Sequence, residues 1–459
     1  MEILWFFLEV GKVEGLLACL NLLEQWHRVV RRDEDHRLAN VEGAERAVDR
    51  AVADCVRNFR GVQGRDVVAL VRIRDRQLHD VPFVGGARKR FEFHLRPNIS
   101  TIKVVKNIAH RFVFLAFAGA ALLVGLFAGA SLLGVAPASA VTNAHGPLMV
   151  FGFVGGAIGL ERAVAMKKTW AWAGPAFHVL AVLTLLAGVT RPVPAVCFAL
   201  SFLVLGFIYL EVHRRQPTLA VLVQAAGVIG GVAASLLWAM TPSFATAMPL
   251  CVLYVVATII GERMELARVT MAGTRAENLI TALVLALAAA GVIYILVPAV
   301  GYRLMGALLL AISWTTVRVD VAKNLVRAKG LPRYSAACML AGYFWLAVAG
   351  LAWLGMGQVS GFSYDASVHT IFLGFVMSMI FAHAPIILTS VIRKKLPYNP
   401  VLYGPVVLLH AGLMVRVGAD IVAHTGVYQV GGMTNVVAVL LFVLSGFVLT
   451  IREARRAHR

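Results

Sequence analysis

Two histidines open apolar segments of similar sequence. His145 begins His-Gly-Pro-Leu-Met-Val-Phe-Gly-Phe-Val, and His369 begins His-Thr-Ile-Phe-Leu-Gly-Phe-Val. If both segments are helices, a rise of about 1.5 Å per residue places each histidine roughly 33–36 Å before the next basic cluster. An ionisable side chain in an apolar helix is costly and is therefore a functional hypothesis. We predict that His145 and His369 lie at matching height and ligate a metal or haem; the alternative is two hydrogen-bonded interfacial histidines.

A second pair of histidines lies deeper. His383 is ten residues before Arg393, and His410 is ten residues after Pro400, so both fall about 15 Å from the same side. His369 and His383 share one helical face, because fourteen residues are about 40° short of four turns. Haem iron takes histidine as an axial ligand, so His383 and His410 form a second candidate haem site. The alternative is that each is a structural histidine.

Two adjacent carboxylate–arginine pairs occur 101 residues apart, at Glu161-Arg162 and Glu262-Arg263. Each fits an interfacial ion pair with a snorkelling arginine, or part of a proton path through Glu161 and Glu262. Aligning Gly152-Phe153-Val154 with Gly374-Phe375-Val376 places His383 at the position of these glutamates. The pattern predicts a weak internal repeat of three units of four helices.

Further polar residues in apolar segments could contact a cofactor. Trp314 and Arg318, four residues apart, form one helical face that could rim a cofactor. Arg416 is a third candidate for such a contact. Asp420 lies four residues after Arg416, so the two are expected to pair along the helix.

The composition indicates that these residues are positioned by membrane helices. Of 459 residues, 59% are hydrophobic and 15% are charged, whereas soluble domains have roughly 45–50% and about 25%. A membrane span needs about 20 apolar residues, and lipid forces such a segment to be helical. An all-α bundle of about twelve transmembrane helices follows, with spans at 111–135, 143–166, 171–190, 193–212, 217–240, 244–266, 278–299, 302–322, 334–356, 364–392, 400–424 and 431–451.

The formal charge of +19 does not indicate a nucleic-acid partner, because the cations cluster in short segments between spans. Basic residues precede the first span and follow every even-numbered span, whereas the opposite loops carry only Arg191 and Arg303. Cytoplasmic loops are enriched in Lys and Arg, so both termini are predicted to be cytoplasmic. The five cysteines are scattered without a CxxC pair, which argues against a disulfide framework or a zinc site.

Residues 1–104 differ from the twelve-span region at 105–459. The first hundred residues contain 17 Lys and Arg and 15 Asp and Glu, without sustained helical or strand periodicity. Two interpretations remain open for this N-terminal extension. It is either a small cytoplasmic domain, or a non-native or poorly ordered segment that results from a misassigned start upstream of the first span.

The chain resembles the NnrS-type membrane proteins of bacteria. The resemblance rests on twelve spans, a second span that opens with His145 and runs to Phe153, a late span carrying His369 and His383, and Arg416 in the next span. It implies haem b binding, with copper as a second cofactor, and a role in nitric oxide or denitrification-linked redox chemistry. It further implies a multi-pass protein of the bacterial inner membrane, served by a redox partner.

These expectations combine into one hypothesis with an alternative. The chain is expected to bind haem through His145 and His369, and in addition through His383 and His410, and to handle nitric oxide or transfer electrons. The alternative is a proton-coupled secondary transporter. Twelve spans, an internal repeat, and Glu161, Glu262 and His383 at mid-to-inner depth would suit it.

Overall fold

The chain folds into a helical bundle in a computed structural model that describes residues 109–392 and 397–457. Within these ranges there is no β-strand, and twelve helices are long and apolar enough to cross a membrane, which confirms the predicted number of spans. The predicted extension at 1–104 lies outside the described residues. The spans are numbered 1 to 12 in chain order: Arg111–Leu132, Thr142–Met166, Thr169–Leu186, Pro192–Arg215, Leu219–Met240, Phe244–Leu266, Arg275–Leu296, Pro298–Val319, Leu331–Met356, Gly361–Ile386, Pro400–Ile421 and Thr425–Glu453.

Local sequence signals mark where the helices begin and end. Proline lies in the first turn at Pro192 and Pro298, where its missing N–H costs no helical hydrogen bond. Thr274 caps span 7 by accepting a hydrogen bond from the backbone N–H of Glu277. Span 9 ends at Gly357, whose φ of 72° lies in the left-handed region that glycine adopts without strain.

Spans 6 and 10 are the most buried helices of the bundle, and span 2 contacts both of them. Span 6 is 83% buried and span 10 is 72% buried, compared with 61% for span 5, 56% for span 2 and 33% for spans 1 and 12. We call spans 2, 6 and 10 the interior spans, because they contact one another and consecutive spans pack side by side around them. The predicted candidates His145, Glu161, Glu262, His369 and His383 all lie on these three helices.

Two of the interior helices contain a π-helical segment directly beyond a histidine. The segment in span 2 is Leu148–Gly155, and the segment in span 10 is Thr370–Met377. The first segment begins three residues after His145, and the second begins directly after His369. Each segment contains one of the two Gly-Phe-Val runs. A π-helical turn is rare and is frequent at functional sites. The paired segments support the similarity between these two spans.

Spans 8 and 9 approach each other through two glycines. A Cβ on Gly306 would lie 2.4 Å from the backbone nitrogen of Leu354, and a Cβ on Gly350 would lie 2.8 Å from the carbonyl oxygen of Gly306. Small residues let membrane helices pack backbone to backbone. The close approach at Gly306 and Gly350 therefore sets the distance between spans 8 and 9.

Replacing Gly306 by alanine is expected to destabilise the protein. The added methyl group meets backbone, which cannot move aside as a flexible side chain could, so overpacking should cost about 1–3 kcal/mol. Thermal unfolding in detergent measures the effect. Gly119→Ala is the matched control, because a Cβ there meets nothing within 4 Å and alanine favours a helix. Equal stability of the two variants would contradict the packing described here.

Candidate functional site

The structure brings His145 and His369 together. Their ring centroids are 6.4 Å apart, and the ring planes are inclined by 26°. The two side chains come from spans 2 and 10, which are far apart in sequence. The predicted pairing of these histidines across adjacent interior helices is therefore present. We call the end of the bundle that carries them the outer end, following the orientation predicted from loop charge.

Both imidazoles are fixed through Nδ1. His145 Nδ1 lies 2.8 Å from the carbonyl oxygen of Gly125 in span 1, and Gly129 leaves room for the ring, since a Cβ there would lie 2.9 Å from His145 Cε1. His369 Nδ1 lies 2.8 Å from the carbonyl oxygen of Asp365. A carbonyl oxygen only accepts, so each Nδ1 carries the proton. Each Nε2 is then a free acceptor, with no hydrogen bond from a described residue.

The ion pair of Asp365 and Arg416 contacts the Nδ1 side of the His369 ring. The Asp365 carboxylate lies 3.2 Å from His369 Nδ1. It accepts two hydrogen bonds from the guanidinium of Arg416, at 2.6 and 2.7 Å. The Tyr428 hydroxyl donates to the same carboxylate at 3.3 Å, and the Arg416 guanidinium lies 5.0 Å from the Tyr428 ring centroid. A carboxylate behind a histidine fixes its tautomer and raises its basicity as a ligand.

Arg416 does not pair with Asp420, in contrast to the sequence expectation. The two share span 11, but the guanidinium of Arg416 reaches across to Asp365 in span 10, where both carboxylate oxygens are available. Asp420 is 6% exposed, and neither of its oxygens has a hydrogen-bond partner among the described residues. A bidentate pair across two helices fixes its geometry better than a pair along one helix.

A second buried ion pair lies towards the inner end. Arg263 of span 6 donates to both oxygens of Asp320, at 2.8 and 3.0 Å. The two side chains are 7% and 2% exposed. Asp320, just beyond span 8, also accepts from the Tyr343 hydroxyl at 2.6 Å and from the Ala322 N–H at 2.9 Å. Burial opposes the charged carboxylate, but Arg263 and these hydrogen bonds hold the pKa of Asp320 below its ordinary value.

His383 belongs to this second pair rather than to a free ligand site. Its Nδ1 donates to the carbonyl oxygen of Met379 at 2.7 Å, and its Nε2 accepts from Arg263 at 3.2 Å. Both nitrogens are therefore used. His410 has a different partner, because its Nδ1 accepts from the indole N–H of Trp345 at 3.0 Å. No contact between His383 and His410 is present, so their pairing as a haem site stays a prediction.

The carboxylates predicted for a proton path surround one arginine. Arg162 lies 3.1 Å from Glu161, 2.9 Å from Glu262 and 3.5 Å from Glu265. Gln224, which is fully buried, donates to Glu265 at 3.0 Å. Three carboxylates and one guanidinium leave two uncompensated negative charges if every group is ionised. Glu161 and Arg162 thus form an ion pair in span 2. Arg162 also connects this pair to Glu262 and Glu265 of span 6.

Arg162 and Arg263 make equivalent contacts. Each binds the side chain that occupies the aligned position in the next predicted repeat unit. Arg162 follows Glu161 and binds Glu262. Arg263 follows Glu262 and binds His383, the residue that the alignment places at the glutamate position of span 10. The corresponding arginine position in span 10 is an alanine, so the series of contacts ends there. This order of contacts supports three units of four helices arranged around spans 2, 6 and 10.

Trp314 and Arg318 lie on the exterior of the bundle. Their side chains stack on each other, with the guanidinium carbon 4.1 Å from the indole centroid, and Trp314 is 58% exposed. The predicted shared face is present, but it points away from the histidines. The structure thus places this pair at the surface and gives it no part in the buried site.

The glycines of the two Gly-Phe-Val runs admit neighbouring helices. A Cβ on Gly152 would lie 2.8 Å from the Ala121 Cβ of span 1, and a Cβ on Gly374 would lie 2.4 Å from the Trp345 Cβ of span 9. Helix packing thus occupies the space beside both glycines. Any flat ligand at the outer end must lie between the two imidazoles themselves.

Sequence reasoning missed Asp365 and Asp320. Asp365 lies one helical turn before His369, so its spacing was a usable signal. Asp320 is the only acidic residue between Glu277 and Asp365, and a lone carboxylate at the end of an apolar span needs a partner. Neither signal identifies the partner, because Arg263 and Arg416 come from helices whose packing is not encoded locally.

The distance between the outer histidine rings can be compared with that in a metal site formed by two imidazoles. One metal held between two nitrogens at about 2 Å would set the ring centroids roughly 6–6.5 Å apart, and the centroids of His145 and His369 are 6.4 Å apart. Within the described part of the chain, no group of three or more His, Cys, Asp or Glu is arranged to hold a metal ion. Two histidines would be enough to hold a haem.

Twelve apolar helices with ion pairs in their interior define a polytopic helical membrane bundle. The chain belongs to the family described as a domain of unknown function, DUF8744, whose model matches residues 111–451. No curated protein matches the chain. No solved structure matches it.

Proposed function

We propose that this protein binds one haem b between His145 and His369. The observation that carries the proposal is the pair of imidazoles 6.4 Å apart, each anchored through Nδ1 and each presenting a free Nε2. Metal-ligating histidines usually donate the other ring N–H to a carbonyl or carboxylate. Both histidines make such a hydrogen bond, to Gly125 and to Asp365.

The residues around the pair have separable roles. Gly125 fixes the ring of His145 from span 1, and Asp365 fixes the ring of His369 from its own helix. Arg416 neutralises Asp365 and holds it in place. When bound, haem supplies one-electron redox chemistry and an iron centre whose axial ligands set its potential.

The biological setting of the proposal comes from the sequence resemblance. NnrS-type proteins are linked to nitric oxide stress and denitrification, so we assign this chain to nitric oxide handling or related electron transfer in a bacterial inner membrane. A redox partner would then exchange electrons with the site. Copper in place of haem is the second cofactor that the resemblance implies, and a linear pair of imidazoles suits it as well.

The protein purified in detergent should be coloured and show a Soret band. A pyridine-haemochrome assay together with metal analysis distinguishes haem from copper. A content of about one haem per chain would support the proposal. Copper without haem would make copper the assigned cofactor in place of haem. A colourless, metal-free protein that stays so after incubation with haem would overturn the proposal.

The alternative function, proton-coupled transport, is favoured by a different observation. The cluster of Glu161, Glu262 and Glu265 around Arg162 carries excess negative charge at partly buried positions, with side-chain exposures of 11–24%. Carboxylates inside a membrane protein are typical of the proton relays of transporters. A metal-free protein that moves protons in proteoliposomes would make this the assigned function.

The proposed orientation places both termini in the cytoplasm. It rests on the loop cations, which the sequence concentrates after even-numbered spans. Reporter fusions at Lys168, after span 2, and at Ser360, before span 10, are expected to report opposite sides, with Lys168 cytoplasmic. A periplasmic signal from Lys168 would reverse the orientation.

A further inference from the structure

The last turn of span 8 and the segment that follows it carry a basic surface without partner carboxylates. Its five basic side chains are all exposed, and none lies within salt-bridge distance of a described carboxylate. The only acidic residue in the segment is Asp320, which is buried and bound to Arg263. We call this surface the basic patch; it consists of Arg318, Lys323, Arg327, Lys329 and Arg333.

Apolar side chains border the basic patch on the exterior of the bundle. Trp314 lies one turn before Arg318 and is therefore about 6 Å further into the span than Arg318. The exposed indole of Trp314 stacks on the Arg318 guanidinium. Leu325 is 37% exposed in the short helix Ala322–Leu325. Tryptophan with one polar contact and an exposed ring is typical of the membrane interface. The patch therefore combines cations with surface that suits acyl chains.

Two of the cations lie at the end of span 8. The Lys323 ammonium donates a hydrogen bond to the carbonyl oxygen of Arg318. The carbonyl groups at a helix C-terminus attract cations, which holds the Lys323 ammonium at the backbone of Arg318. The guanidinium is in turn oriented by Trp314. This arrangement leaves donors of both side chains available to an anion.

Two basic residues near the same end share a carboxylate partner. Glu211 binds both Lys168, at 3.0 Å, and Arg215, at 2.8 Å. These two cations resemble Arg318 and Lys323 in exposure and in their position after an even-numbered span. They differ in having a carboxylate within salt-bridge distance and therefore provide a matched comparison for Arg318 and Lys323.

We infer that the basic patch binds the headgroup of an anionic phospholipid. The phosphodiester would lie between Arg318 and Lys323, and an acyl chain would lie along Trp314. Charge complementarity and the position at the end of a membrane helix favour lipid, since basic groups beside a membrane attract anionic headgroups. This inference does not depend on the proposed haem site.

The test uses the full-length protein in nanodiscs of phosphatidylcholine with increasing brominated phosphatidylglycerol. Bromine quenches nearby tryptophan, and the part of the signal absent from Trp314→Phe reports binding at the patch. We expect saturable quenching at low phosphatidylglycerol fractions that weakens with salt. The double variant Arg318→Gln/Lys323→Gln should require about tenfold more phosphatidylglycerol, because each nearby cation contributes to anionic lipid binding.

The matched control is Lys168→Gln/Arg215→Gln, which removes the same number of cations from the pair that shares Glu211 and should leave quenching of Trp314 unchanged. Thermal unfolding in pure phosphatidylcholine checks that both double variants are folded. If Arg318→Gln/Lys323→Gln does not fold, two other measurements still test the inference. They are the salt dependence of quenching in the unmodified protein and the difference in quenching between the unmodified protein and Trp314→Phe. Equal quenching by brominated phosphatidylcholine, or an equal loss in the control, would overturn the inference. Full displacement by millimolar inorganic phosphate would show a phosphate site instead.

Discussion

Replacing His145 or His369 by alanine should abolish or shift the Soret band of the purified protein. In the proposed site both imidazoles would hold the haem, so the loss of either would weaken haem retention. Insertion should be little affected, because it depends on apolar area and loop charge. Absorption spectra of the oxidised and reduced protein, normalised to protein content, measure the effect. A smaller change is expected for Asp365→Asn, about 10–100-fold in affinity, as for other groups behind a ligand.

His424→Ala is the matched control for the two histidine variants. His424 lies at the same end of the bundle, between spans 11 and 12, but it is exposed, and its Nδ1 accepts from the N–H of Val427. Its spectrum should match that of the unmodified protein. If His145→Ala and His369→Ala retain an unchanged band, the haem must be held elsewhere. His383 and His410 would then be the next residues to replace.

Removing the carboxylate of Asp320 should cause the largest loss of stability. Asp320→Leu leaves the Arg263 guanidinium buried without a counter-charge, and breaking such a pair typically costs about 3–5 kcal/mol. Tyr343 and Ala322 also lose their acceptor. The midpoint of thermal unfolding in detergent is expected to fall by roughly 5–10 °C. The same measurement on Glu211→Gln, which breaks an exposed pair, should show little change.

A compensating variant tests whether the cost comes from the stranded charge. Arg263→Met combined with Asp320→Leu removes both charges, and buried ion pairs can often be replaced by apolar residues at little cost. The double variant should recover at least half of the stability lost by Asp320→Leu. If it is as unstable as the single variant, the loss comes from packing or from Tyr343 and His383, and the ion pair is not its source.

The pH dependence of stability has a defined sign at Asp320. Its pKa is lower in the folded protein than the ordinary value near about 3.9. The stabilisation is therefore complete above that value and is lost as the pH falls through the lower folded pKa. Acid unfolding below about pH 4 should accordingly be less steep in Asp320→Asn than in the unmodified protein.

The number of spans was predictable because it depends on a one-dimensional property. Each apolar run must be helical and must match the bilayer thickness, and the observed spans agree with the predicted ones to within a few residues at most ends. The largest difference at a start is in span 12, which begins at Thr425 rather than at 431. Helix ends of this kind depend on local capping and on packing at the interface.

The outer histidine pair was predictable for a related reason. Height in the membrane follows from residue count, and His145 and His369 have nearly the same count from their basic clusters. Two groups at equal depth on interior helices can meet only if the helices are neighbours. The similar sequences after the two histidines, which form the two π-helical segments, are the feature that favoured neighbouring positions.

Sequence by itself thus determined the helical class, the number of spans and the matching height of His145 and His369. Tertiary structure alone decided the partners: Arg416 with Asp365, Arg263 with Asp320 and His383, and the outward position of Trp314 and Arg318. Depth follows from counting residues along one helix. Partner choice depends instead on which helices are adjacent and how each is rotated about its axis, and that is set by side-chain packing between spans 50–120 residues apart.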